Sequence, residues 1–127
     1  MFPSRGGDSG MSRKWRVEFE KERARLNEIV LSSEHLGIKR FFALDDQAYH
    51  EGALTAKVKE LMGLVASLVL RCDDCVSYHI LKCVDRGVSR EELYEAFNVA
   101  LVVGGSIVIP HLRRAADKLE AEVGAGD

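Results

Sequence analysis

Only two prolines occur among the 127 residues, Pro3 and Pro110, and between them apolar residues recur at three- and four-residue intervals without any run of period-two alternation. A chain so free of proline can carry long helices, and the missing alternation removes the half-buried strand as a competitor. The expected fold is all-α. At this length a single domain is the natural expectation, a helical bundle of about six helices that still gains from burying surface in a homo-oligomer.

Local signals divide that bundle. Residues 1–11, with Pro3, Gly6, Gly7 and Gly10 among small polar side chains, are expected to form a flexible tail, residues 12–123 the helical domain and residues 124–127 a frayed end. Ser12 offers an N-cap to a first helix carrying Trp15, Phe19, Leu26, Ile29 and Val30, with His35-Leu36-Gly37 as its C-terminal signal. A shorter helix is expected from about Ile38 to Tyr49, with apolar contacts from Phe41, Phe42, Leu44 and Tyr49. Thr55 caps a third, central helix whose stripe is Leu54, Val58, Leu61, Met62, Val65, Leu68 and Val69. The fourth carries Cys72, Cys75 and His79 and ends at Arg86-Gly87, after which Ser89-Arg90-Glu91-Glu92 reads as a capping box. Leu93, Phe97, Ala100, Leu101 and Gly104 mark the fifth helix, and Gly104-Gly105 either ends it or admits another backbone. Pro110 fits the first turn of the last, which buries Leu112, Ala115, Ala116, Leu119 and Val123.

Eighteen basic and twenty acidic side chains leave a formal net charge of −2, and the one dense basic stretch, Lys14 to Arg25, is interleaved with glutamates. That pattern reads as a solvated helix face and excludes a nucleic-acid partner. The longest uncharged run, Leu61 to Leu70, is about half the length needed to span a bilayer, so no membrane partner is expected. Three cysteines without an apolar leader point to a reducing, cytoplasmic setting, where a close cysteine pair is catalytic or metal-binding more often than a permanent staple.

Arg-Cys-Asp-Asp-Cys-Val-Ser-Tyr-His gathers the reactive side chains, two thiols two residues apart and a histidine one turn beyond the second. At about 100° per residue, Cys72, Cys75, His79 and Cys83 share one helix face, flanked by Val76, Ile80 and Val84. Four zinc ligands cannot converge from a straight helix that spans roughly 16 Å, so no metal is expected, and no other cofactor. A thioredoxin-like site would follow a strand. Three thiols filling a helical core is the bland alternative, and it is the reading adopted for Cys83. His35, His50 and His111, at helix ends or openings, read as structural. Glu60 lies opposite the main apolar stripe of its helix, so periodicity places it outward, while the uncharged run that follows allows a partner helix to turn it inward.

Glu60, Cys72-Asp73-Asp74-Cys75 and His79, at this spacing, resemble the signature of the alkyl hydroperoxidase D-like branch of the carboxymuconolactone decarboxylase family. The likeness extends in character through Val88 to Glu92 and Ala100 to Gly105, covers about Leu54 to Leu119, and is generic over the first two helices. It implies an all-α fold whose protomers interlock into dimers, trimers or hexamers. It also implies thiol-dependent peroxidase or disulfide reductase activity on a peroxide or disulfide small molecule, with a dithiol or redox protein as reductant. On this resemblance Cys72 and Cys75 form the redox pair, and His79 and Glu60 the proton relay. Decarboxylases proper lack the cysteine pair, which points away from lactone chemistry. Asp74 stands where better-known peroxidase members carry histidine, and a carboxylate there raises a neighbouring thiol's pKa, arguing against strong peroxidase activity. His79 is nearer Cys75, favouring it as the base-assisted nucleophile with Cys72 resolving, whereas the helix N-terminus favours the reverse. The alternative is a non-catalytic redox sensor, or a structural helical oligomer with a packed cysteine pair.

Overall fold

The computed structural model describes residues 9–125, with side chains from residue 14 to residue 124. Among these, six α-helices and one 3-10 turn account for the regular structure: α1 (Ser9–Ser32), α2 (Leu36–Ala48), α3 (Ala56–Val69), α4 (Asp73–Asp85), α5 (Arg90–Gly104), the turn Ser106–Val108 and α6 (Ile109–Ala125). No helix among the described residues is long and apolar enough to cross a membrane. Residues 1–8 of the expected tail, and 126–127 of the expected frayed end, lie outside the described residues, while Ser9 to Met11 already belong to α1.

Helices α3, α4, α5 and α6 enclose the core, with α1 laid along α6 and α2 touching α1. Leu64 and Leu68 from α3, Ile80 from α4, Leu93 and Phe97 from α5 and Leu119 from α6 are fully enclosed. Each contributes about 1.5–3 kcal/mol by leaving water. Arg16 fastens α1 to this core through Asp85 and Glu122, both at 2.7 Å, and Arg23 stacks over the Tyr78 ring at 4.0 Å. The basic face of α1 is thus partly tied down rather than wholly solvated.

Caps fall where local chemistry requires them. The Thr55 hydroxyl accepts the Val58 amide at 3.1 Å and opens α3. Ser89 and Glu92 exchange side-chain to backbone hydrogen bonds at 3.1 and 2.8 Å, a complete capping box. Gly105, at φ 83°, ends α5, while Gly104 is where the chain comes close: a Cβ there would collide with Val108 and touch the Val69 backbone.

Three expectations are corrected. The first helix ends at Ser32, because Glu34 takes a left-handed φ of 58° and His35 becomes the N-cap of α2, leaving Gly37 inside that helix. The stripe expected to bury α3 is only partly its enclosed side: Leu68 is enclosed, and Leu61, Val65 and Val69 pack half-buried against the core. Ala56, Glu60, Leu64, Ser67 and Leu68 face inward, whereas Val58 and Met62, the latter 55% exposed, face out. A helix apolar nearly all round gives periodicity no single buried face to find. Likewise, α2 encloses no residue within the chain, and Phe41 and Leu44 lie open.

Candidate redox site

The site begins at the corner between α3 and α4. Arg71 adopts a left-handed φ of 62°, letting its amide bond to Leu68 O and the Cys72 amide to Ser67 O, both at 3.0 Å. This is the Schellman pattern, formed with arginine where glycine is usual. Cys72 therefore closes α3 with its backbone and opens α4 as N-cap, its sulfur accepting the Cys75 amide at 3.2 Å. The expected uninterrupted helix through both cysteines is thus broken at the first: Cys72 has φ −100° and ψ 95°, and α4 starts at Asp73.

Cys72 and Cys75 are joined by a disulfide, with Cα atoms 5.3 Å apart. Cys75 is exposed and Cys72 half-buried, so the bond is open to a reductant. Its position at a helix N-terminus means the partial positive charge of the first amides favours thiolate once the bond opens.

One turn past Cys75, His79 points into the bundle and meets Glu60 from α3, Nδ1 to Oε1 at 2.9 Å. Glu60 is 3% exposed and His79 8%. An ionised carboxylate can only accept, so Nδ1 carries the hydrogen and Nε2 is left for proton exchange. Nε2 faces the Tyr49 hydroxyl at 3.5 Å, where burial pushes the phenol above its ordinary pKa, helped by the negative charges of Asp45 and Glu60. Among the described residues, the hydrogen bonds of the His79 ring run to Glu60 and Tyr49 and none to either sulfur.

Residues 38–118 match the model of the carboxymuconolactone decarboxylase family. The chain belongs to this family. Its fold is similar to two crystal structures of a Thermotoga maritima family protein. One is 61% identical with a TM-score of 0.80, covering 81% of this chain and 90% of that one; the other is 54% identical with a TM-score of 0.78, covering 85% and 96%. A part in the antioxidative response has been suggested for that protein. A Legionella pneumophila family protein is 28% identical with a TM-score of 0.59, over 94% of this chain and 97% of that one. Among curated relatives, an uncharacterized Cupriavidus necator protein is 34% identical over 58 residues, 46% of this chain. The matched segment spans 51% of that relative's length. An uncharacterized protein of the cox locus of Paracoccus denitrificans is 27% identical over 85 residues, 67% of this chain and 77% of that protein.

Within this family member the structure unites Glu60 with His79 and Cys72 with Cys75, and excludes Cys83 from the group. The Cys83 thiol is fully buried, and burial, reinforced by the Glu60 charge, pushes its pKa up to about 12. It packs, as expected. Among the described residues, no three histidine, cysteine, aspartate or glutamate side chains converge as metal ligands.

Two contributors escaped sequence reasoning. Tyr49 was assigned to apolar packing, yet its hydroxyl faces His79. Gly63 makes room for the ring: a Cβ there would lie 2.6 Å from His79 Cε1, 2.8 Å from Nε2 and 2.8 Å from the Tyr49 hydroxyl. A lone glycine inside an otherwise strong helix was the available signal. His111, expected to be structural, lies with Nδ1 2.7 Å from Asp73 Oδ1, and Arg114 Nε donates to Asp73 Oδ2 at 2.8 Å. On the side of α3 opposite Glu60, an open apolar groove of about 750 Å³ runs between α3 and α5, lined by Met62, Val65, Val69, Val99 and Val103.

Proposed function

We propose that this chain is a thiol-dependent peroxidase or thiol–disulfide oxidoreductase working through Cys72 and Cys75, with His79 and Glu60 as proton relay. The observation that carries the reading is the disulfide at a helix N-terminus, one turn from a buried carboxylate–imidazole pair. The antioxidative part suggested for the Thermotoga protein points the same way.

In this reading the Cys75 thiolate attacks a peroxide oxygen. The S–O bond forms, the O–O bond breaks, and the departing alkoxide or hydroxide takes a proton from His79. The Cys72 sulfur then displaces hydroxide from the Cys75 sulfenic acid, giving the disulfide and water. An external dithiol returns two electrons and two protons, and cysteine is regenerated. Lowering a thiol pKa from ~8.5 to ~6.5 raises the thiolate fraction at neutral pH about 25-fold but costs roughly eightfold in nucleophilicity. The net gain is only about threefold, so the relay matters chiefly for protonating the leaving group.

The exposed apolar faces of α2 and of the α3–α5 groove, including Phe41, Leu44, Met62 and Val103, support a homo-oligomer in which a second copy covers them. The companion reading, a redox sensor without turnover, draws on the His79 ring being engaged with Glu60 and Tyr49 and on Asp74 in the first turn. A coupled assay with peroxide and a dithiol reductant separates the two: turnover lost in Cys75→Ser is expected, and turnover equal in that variant would refute catalysis by the pair. Trapping sulfenic acid in single Cys→Ser variants tests the order of attack, since an adduct confined to Cys75→Ser would reverse it.

A further inference from the structure

Asp73, the first residue of α4, follows Cys72 directly and is gripped from α6. His111 Nδ1 meets Oδ1 at 2.7 Å and Arg114 Nε donates to Oδ2 at 2.8 Å, with Arg114 Nη2 3.1 Å from His111 Nδ1. These contacts cross 38 and 41 residues of sequence and bring the opening turns of α4 and α6 together. Asp73 itself lies in the first turn of α4, where the positive end of that helix favours a carboxylate. Asp74, the other acid of that turn, has no ion pair among the described residues.

The electrostatic consequence falls on the neighbouring sulfur. Asp73 follows Cys72 directly and shares the first turn of α4 with the Cys72–Cys75 bond, close quarters on the scale of the ~8 Å screening length of physiological salt. Reduction by a dithiol breaks the Cys72–Cys75 bond, closes the reductant's own disulfide and transfers two electrons and two protons. Cys72, as N-cap, then carries its reduced sulfur beside the Asp73 charge, whichever cysteine attacks peroxide. A bare carboxylate beside it penalises the reduced state, whereas one matched by a guanidinium does not.

We propose that Asp73, Arg114 and His111 are positioning residues of the redox pair: the Arg114 guanidinium neutralises the carboxylate beside Cys72, which His111 helps to hold in place, and so sets the reduction potential of the Cys72–Cys75 disulfide. This deepens the thiol–disulfide reading and rests on it only in taking the pair as redox-active.

The test equilibrates the full chain in dithiothreitol redox buffers and counts thiols by alkylation, with no peroxide present. Arg114→Gln leaves Asp73 uncompensated and should favour the disulfide roughly threefold to tenfold, about 15–30 mV more negative. Asp73→Asn should shift the equilibrium the other way, the double variant should return near wild type, and Arg114→Lys should keep most of the wild-type value. In ~1 M salt both single shifts should shrink, because the screening length falls to ~3 Å. Both single variants break the same α4–α6 contact, so a purely structural role predicts shifts of one sign. Shifts of equal sign, or no shift in either, overturn the proposal. That result leaves the peroxide assay to stand or fall by itself, since a peroxide-inactive chain still reports its potential.

Discussion

Glu60 Oε1 and His79 Nδ1 meet at 2.9 Å across α3 and α4, where neither side chain has appreciable contact with solvent. A buried carboxylate–imidazole pair fixes the tautomer and holds the ring still, leaving Nε2 as the ring nitrogen not engaged by the carboxylate.

His79→Gln should slow peroxide reduction by about 10²-fold or more, the usual scale of general acid catalysis, while iodoacetamide alkylation of Cys75 changes only a few-fold. Glu60→Gln keeps an acceptor for Nδ1 but loses the charge, and should fall between wild type and His79→Gln. Parallel peroxide and alkylation rates measure both; equal losses in the two reactions would remove the leaving-group role.

Gly63→Ala should harm the site despite alanine's better helix propensity. The added methyl lies within 2.8 Å of both His79 Nε2 and the Tyr49 hydroxyl, so the ring must move. Overpacking of this kind costs about 1–3 kcal/mol, against roughly 1 kcal/mol gained in propensity. Urea denaturation should show a net loss of stability, and peroxide turnover should drop at least ~10-fold, the rate being sensitive to ~1 Å displacements.

Cys83 should be silent in the folded protein. With its thiol pKa pushed up to about 12 by burial and the Glu60 charge, a reduced sample at pH 8 should show fast reaction only at Cys72 and Cys75. Mass spectrometry after a brief alkylation pulse checks this, with Cys83 labelled only once denaturant is added.

Acid should remove the contribution of Asp73. Burial pushes its pKa upward, but the hydrogen bonds from His111 and Arg114 outweigh this and hold it below the ordinary 3.8. A folded pKa below the unfolded one means stability present above about pH 3.8 and lost as pH falls through the depressed folded value. The stability difference between wild type and Asp73→Asn should be flat from pH 7 to pH 5 and shrink below pH 4, as followed by thermal melts. A difference that grows toward low pH would contradict the assignment.

What could be read from sequence was chiefly what neighbours in sequence decide. The Thr55 cap and the Ser89–Glu92 box are contacts over three residues, and both formed as expected. Glu60 was different, because periodicity placed it outward on a helix whose apolar residues nearly surround it; the uncharged run from Leu61 to Leu70 and its spacing from the cysteines argued otherwise. The α3–α5 groove exposes the side that looked most like core. Contacts such as Tyr49 with His79, or Asp73 with His111, join residues 30 and 38 positions apart and leave no periodic trace. Glu34 and Arg71 turned corners in left-handed conformations that favour glycine, which is why one helix end and one helix start were misplaced.

The double duty of Cys72 has an evolutionary corollary. Its sulfur accepts a backbone amide, a task a serine hydroxyl performs at least as well and alanine cannot, a difference of about 1 kcal/mol. One base change from cysteine to serine therefore abolishes the disulfide while the corner keeps its shape. Descendants of such a chain can lose their chemistry in a single step and persist as well-folded proteins, free to be selected for something else.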